Sequence, residues 1–145
     1  MPTRYIKIDS LARELCPLVF RLYYVVRRET PQHQLTLTQA SVLATLAADG
    51  AARMSVLAER EGVRLPSMTD VITRLERLGL ARRAPDPADR RAVLAEVTED
   101  GARLIAELVQ AREEFLGRRL AGLAAADQAA IAAALPALRR LLAVD

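Results

Sequence analysis

The sequence predicts a mainly α-helical fold that carries one small β-hairpin, and three observations predict it. Apolar residues recur at helical spacing over 8–29, 36–49, 64–78 and 98–120. After Gly79 the habit changes: residues 80–83 and 93–97 are extended runs that flank Pro85, Asp86, Pro87, Ala88 and Asp89, the composition of a tight turn. Aromatic residues make up only 3% of the chain against 52% hydrophobic, so the core is aliphatic, which suits packed helices. A polar-faced helix followed by a basic hairpin is the layout of a winged helix-turn-helix.

The elements follow in order. Ile8, Leu11, Leu15, Leu18, Val19, Leu22, Val25 and Val26 give an amphipathic first helix, with Pro17 expected to kink it or delay its regular start. A loop over 30–35 holds His33, read as a solvated side chain because no second ligand is near it. Thr36 and Gln39 form a capping box before Ala40, Val42, Leu43 and Leu46, and this helix stops at Gly50. Ser55 is the expected N-cap of a third helix that carries Val56, Leu57 and Ala58 and ends near Gly62.

The stretch 64–91 organises the chain. Met68, Val71, Ile72, Leu75 and Leu78 form one apolar stripe, Pro66 fits the first helical turn, and Gly79 stands where a left-handed C-cap is wanted. The other face carries Ser67, Thr69, Asp70, Thr73, Arg74 and Arg77, hydroxylic and cationic groups suited to phosphates or base edges. Arg90 and Arg91 then stand at the tip of the hairpin. An ordinary surface helix with an ordinary turn is the plainer alternative.

Thr98, with Glu99 and Asp100, caps a long helix carrying Leu104, Ile105, Leu108, Val109, Phe115, Leu116 and Leu120. The last segment, from Asp127, carries Ile131, Leu135, Leu138, Leu141 and Leu142, with Pro136 expected to break or bend it. The alanine-rich run 121–134 reads as close-packing helix. The first, long and last helices show more apolar face than a small central module can cover, so pairing with the same helices of a second copy is expected. The division is 35–97 for the winged module and 1–34 with 98–145 for the helical dimerisation region.

Charge and composition narrow the function. Residues 64–91 hold seven arginines and four acids, a net +3 that equals the net charge of all 145 residues. Positive charge gathered on one module suits a polyanion. A single cysteine excludes an internal disulfide, and with one histidine it argues against a zinc site of the usual kind, so no cofactor is expected. Neither a signal peptide nor a membrane span is visible, and the expected setting is the cytoplasm, at the nucleoid. A glycine-rich phosphate loop and a usable Ser/His/Asp set are both missing, which argues against an enzyme.

Several spacings now fall together: Leu35-Thr36-x-x-Gln39, Leu57-Ala58-Glu59, Pro66-Ser67-x-Thr69, Leu75-Glu76-x-x-Gly79-Leu80, Arg83-x-x-Asp86-x-x-Asp89-Arg90-Arg91 and Thr98-x-x-Gly101. Across nearly its whole length the chain resembles the MarR family of bacterial transcriptional regulators, with Val97 where the last motif usually has leucine. The resemblance implies a homodimer of winged-helix domains, probing double-stranded DNA with a recognition helix in the major groove and a wing in the minor groove, over a pseudo-palindrome. It implies base or phosphate contacts from Ser67, Thr69 and Thr73, beside Pro66, and a minor-groove role for Arg90. Arg91 is expected either at the DNA or holding the wing by pairing with Asp86 or Asp89. Arg64, Arg74, Arg77, Arg82 and Arg83 are candidates for phosphate contacts, about half of them expected to reach DNA and the rest to pair within the chain.

Two residues depart from the family pattern. Asp70 would repel phosphate unless it accepts from a cytosine amine or pairs with Arg74 one turn on. Glu61 is expected to turn outward at the end of the third helix. A repressor released by a small aromatic or anionic effector is the leading reading. Within the family the rival is a peroxide sensor using Cys16. Phe20 in place of the expected tyrosine, and the adjacent Pro17, argue against it. A winged helix that binds protein and not DNA is the rival of another class, and the hydroxylic, basic helix face argues against that.

Overall fold

A computed structural model describes residues 7–31 and 33–143. Its elements are α1 (Ile8–Glu29), α2 (Leu37–Asp49), β1 (Ala52–Arg53), α3 (Met54–Arg60), α4 (Leu65–Arg77), β2 (Ala81–Asp86), β3 (Asp89–Val97), α5 (Glu99–Ala121) and α6 (Ala125–Leu142). The fold is mainly α with a three-stranded antiparallel sheet in the order β1-β3-β2. Two compact units arise, one from Met1–Thr30 with Ala111–Asp145, the other from Pro31–Gln110.

The second unit is the winged helix. Leu35, Val42, Leu43, Leu46, Leu57, Ala58, Met68, Ile72, Leu75, Ala81 and Ala95 form its core, an aliphatic centre drawn from α2, α3, α4, β2 and β3, with Ala52 of β1 partly buried against it. Thr36 caps α2 as its spacing predicts: its hydroxyl accepts from the Gln39 N–H at 3.2 Å, and the Gln39 side chain accepts from the Thr36 N–H at 3.0 Å. Helix α3 differs from expectation. Ser55 lies inside its first turn and Arg53 takes the N-cap position, because Ala52 and Arg53 are drawn into the sheet by pairing with Ala95 and Leu94. Glu61 does not turn outward either. It is half-buried and accepts from the Ser41 hydroxyl at 2.8 Å, joining the end of α3 to α2. His33 is half-buried and accepts from the Leu35 N–H.

The end of α4 is fixed by a Schellman turn. Gly79 adopts φ +73°, its N–H donates to the Glu76 carbonyl, and the Leu80 N–H reaches back to the Leu75 carbonyl, both at 2.9 Å. Thr98 locks this turn to the next helix. Its hydroxyl donates to the Gly79 carbonyl at 2.6 Å and accepts from the Gly101 N–H at 3.1 Å, while its own N–H donates to the Leu80 carbonyl at 3.0 Å. A Cβ on Gly101 would collide with that same Leu80 carbonyl oxygen, so glycine is required there for close approach.

In the first unit α1 runs through Pro17 without a break, and α6 runs through Pro136. Both helices are exposed along these stretches, so the carbonyls deprived of a donor, those of Arg13 and Ala132, belong to residues that face solvent. The alanine-rich run is not one helix: α5 ends at Ala121 and α6 starts at Ala125. Gln128 braces the turn between them by donating to the carbonyls of Leu120 and Leu123. Neither α1 nor α6 contains a buried residue; Leu11, Leu18, Leu22, Ile131, Leu135 and Leu138 are all exposed. No described helix is long and apolar enough to cross a membrane.

Candidate nucleic-acid interface

Helix α4 and the hairpin form one surface. Met68, Ile72 and Leu75 are buried, so Ser67, Thr69, Asp70, Arg74 and Arg77 face away from the core, with Pro66 in the first turn. Thr69 donates its hydroxyl proton to the Leu65 carbonyl at 3.0 Å, which leaves its oxygen lone pairs and methyl to face outward. Thr73 is more fully used. Its hydroxyl donates to the Thr69 carbonyl at 2.9 Å and accepts from Arg83 Nη2 at 3.1 Å.

Arg83 is the link between helix and wing. Its guanidinium pairs with the Glu76 carboxylate, and its backbone N–H donates to the other oxygen of that carboxylate at 3.0 Å. Arg82 pairs across the hairpin with Glu96 at 2.8 Å. These two arginines are therefore engaged within the fold. Arg64, Arg74, Arg77, Arg90 and Arg91 are exposed and make no ion pair among the described residues. Asp70 likewise does not pair with Arg74.

The hairpin tip explains the spacing of its two aspartates. Residues 81–85 pair in regular register with 93–97, and the register then jumps so that Asp86 faces Asp89. Arg90, Arg91 and Ala92 lie in the bulge so created. Asp86 Oδ1 accepts from the Ala88 N–H at 2.8 Å, and Asp89 Oδ1 accepts from the Arg91 N–H at 3.0 Å. The wing is not held by the Arg91 guanidinium. Arg53, from β1, donates to Asp86 Oδ2 at 2.9 Å through Nε and 2.7 Å through Nη2, and lies 3.9 Å from Asp89. Sequence reasoning missed this arginine because a two-residue strand has no periodicity to read. The Ala88 N–H, and then Arg53, hold the Asp86 carboxyl below its ordinary value of 3.8.

The pattern that defines the MarR family matches residues 35–93, the module just described. A relative in Mycobacterium bovis, the HTH-type transcriptional regulator Mb0904, is 46% identical over 113 residues, 78% of this chain and 79% of that protein. The chain belongs to the MarR family. It is a helix-turn-helix transcriptional regulator and not an enzyme. Solved structures agree in fold with this MarR protein. A transcriptional regulator from Pseudomonas aeruginosa, 30% identical, superposes with a TM-score of 0.82 over 94% of this chain and 96% of the other. BpsR of Bordetella bronchiseptica, whose DNA binding is regulated by 6-hydroxynicotinic acid, is 28% identical, with a TM-score of 0.68 over the whole of both chains.

The chain's one cysteine lies outside this surface. Cys16 is a free, exposed thiol on α1, and Phe20, one turn on, is exposed as well. No group of three or more metal-ligating side chains occurs among the described residues.

Proposed function

We propose that the chain acts as a homodimeric repressor that reads a pseudo-palindromic operator and leaves it on binding a small aromatic or anionic effector. The observation that carries this reading is the joined surface of α4 and the wing, linked through Glu76 and Arg83, with exposed, unpaired arginines at both ends. In this reading residues 35–97 bind DNA, and 1–34 with 98–145 form the dimer. The outward side chains of α4 enter the major groove and reach base edges; Arg90 enters the adjacent minor groove, with Arg91 beside it. Arg64, Arg74 and Arg77 meet phosphates. Thr73, Arg82 and Arg83 hold the helix and wing in register, while Asp89 shapes the tip.

Dimerisation is supported by the uncovered apolar faces of α1 and α6. Effector release is supported by the likeness to BpsR. The test is a gel shift of purified protein on the DNA upstream of its own gene, with and without hydroxylated aromatic acids. Specific retardation that such an acid reverses is expected; equal affinity for specific and scrambled duplexes would overturn the reading.

A further inference from the structure

We infer that Asp70 is a specificity-determining residue that reads a cytosine in each half-site through its exocyclic N4 amine. This rests on α4 entering the major groove. With about 100° per residue, Asp70 lies roughly 15° from direct opposition to the buried stripe of Met68, Ile72 and Leu75. It is therefore central on the outward face, between Pro66 and Arg77, in the helix's N-terminal half. A phosphate there would be repelled, and a carboxylate accepts hydrogen bonds without donating any.

The neighbours sharpen the choice. Arg74, one turn on, makes no ion pair with Asp70, so the carboxylate is not consumed within the helix. The hydroxyl proton of Thr69 is committed to the Leu65 carbonyl and the Thr73 hydroxyl is used on both sides, so the immediate neighbours of Asp70 supply no free hydroxyl proton to it. In the major groove cytosine N4 and adenine N6 are the amine donors; adenine sets its N7 acceptor beside that amine, where it repels a carboxylate, so cytosine is the base an aspartate matches, whereas guanine shows only acceptors there. The flanking Arg74 and Arg77 supply the positive charge that lets a carboxylate approach the duplex.

The test selects preferred duplexes from a random pool with wild type, Asp70→Ala and Asp70→Asn, each confirmed folded by its circular dichroism melt. The wild type is expected to fix a C·G pair at one position of each half-site, about tenfold over the other pairs. Asp70→Ala relaxes that position and no other. Asp70→Asn moves it toward adenine, whose N6 and N7 an amide matches. If Asp70→Ala keeps every preference and only binds all duplexes more tightly, the carboxylate is a repulsive bystander and the inference fails while DNA reading stands. If the wild type enriches no sequence at all, the DNA-reading proposal fails and this one with it.

Discussion

The guanidinium of Arg53 grips Asp86 Oδ2 at 2.9 and 2.7 Å, and so ties the tip of the wing to the short strand that precedes α3. Asp86 is only 7% exposed although it ends β2 beside the two-residue turn at the wing tip. The pair positions Arg90 and Arg91 without itself needing to touch DNA. Arg53→Met and Asp86→Asn should each weaken operator binding several-fold with the dependence on salt unchanged, and the double variant should be little worse than either. Binding isotherms at several salt concentrations check this. A drop in the salt dependence of Arg53→Met would instead make Arg53 a phosphate contact.

The same carboxylate has a pH signature. Its value is depressed in the folded chain, so its contribution to stability is present above about pH 4, the ordinary carboxyl range, and is lost as pH falls through the lower folded value. Asp86→Asn removes a titrating group. Acid unfolding followed by circular dichroism should therefore show a shallower loss of stability below about pH 4 in the variant than in the wild type.

Much of this was legible from residue spacing, and the limits have physical causes. The capping box at Thr36, the stripe of α4, the turn at Gly79 and the cap at Thr98 are local features, and each is formed as its spacing predicts. Long-range partners were not legible. Nothing in a linear pattern says that Arg53 meets Asp86, 33 residues away, or that Ser41 satisfies Glu61. Pro17 does not delay the start of α1 and Pro136 does not end α6, because an exposed helix can leave a carbonyl to solvent.

Gly101 and Gly117 offer a matched pair within α5. At Gly101 a methyl would strike the Leu80 carbonyl oxygen, whereas at Gly117 it would meet open space. Gly101→Ala should lower stability by about 1–3 kcal/mol as the helix is pushed from its anchor. Gly117→Ala should raise it by about 0.5–1 kcal/mol by favouring helical backbone. Thermal or urea unfolding of the two variants distinguishes them; similar changes in both would mean that Thr98 and Gly101 do not hold α5 against the turn.

The uncovered leucines of α6 carry the expectation of a dimer. Leu135→Glu combined with Leu138→Glu should raise the dimer dissociation constant about thirtyfold or more, the ~2 kcal/mol of an interface hot spot. Sedimentation at micromolar concentration reads this directly. A wild-type chain that sediments as a folded monomer there would exclude the dimer.

Arg90 and Thr69 test the central claim, that the wing and α4 both read DNA, because they should fail differently. Arg90 is exposed, unpaired and charged; Thr69 is neutral and held on a rigid helix by its bond to the Leu65 carbonyl. The decisive measurement is the affinity of Arg90→Ala and Thr69→Ala for a specific and a scrambled duplex across a series of salt concentrations. Arg90→Ala should weaken binding to both duplexes and reduce the salt slope by about one phosphate equivalent. Thr69→Ala should leave the slope unchanged and lose roughly 1–3 kcal/mol of discrimination at one or two base pairs. Both variants binding the specific duplex as tightly as the wild type at every salt concentration would contradict the account.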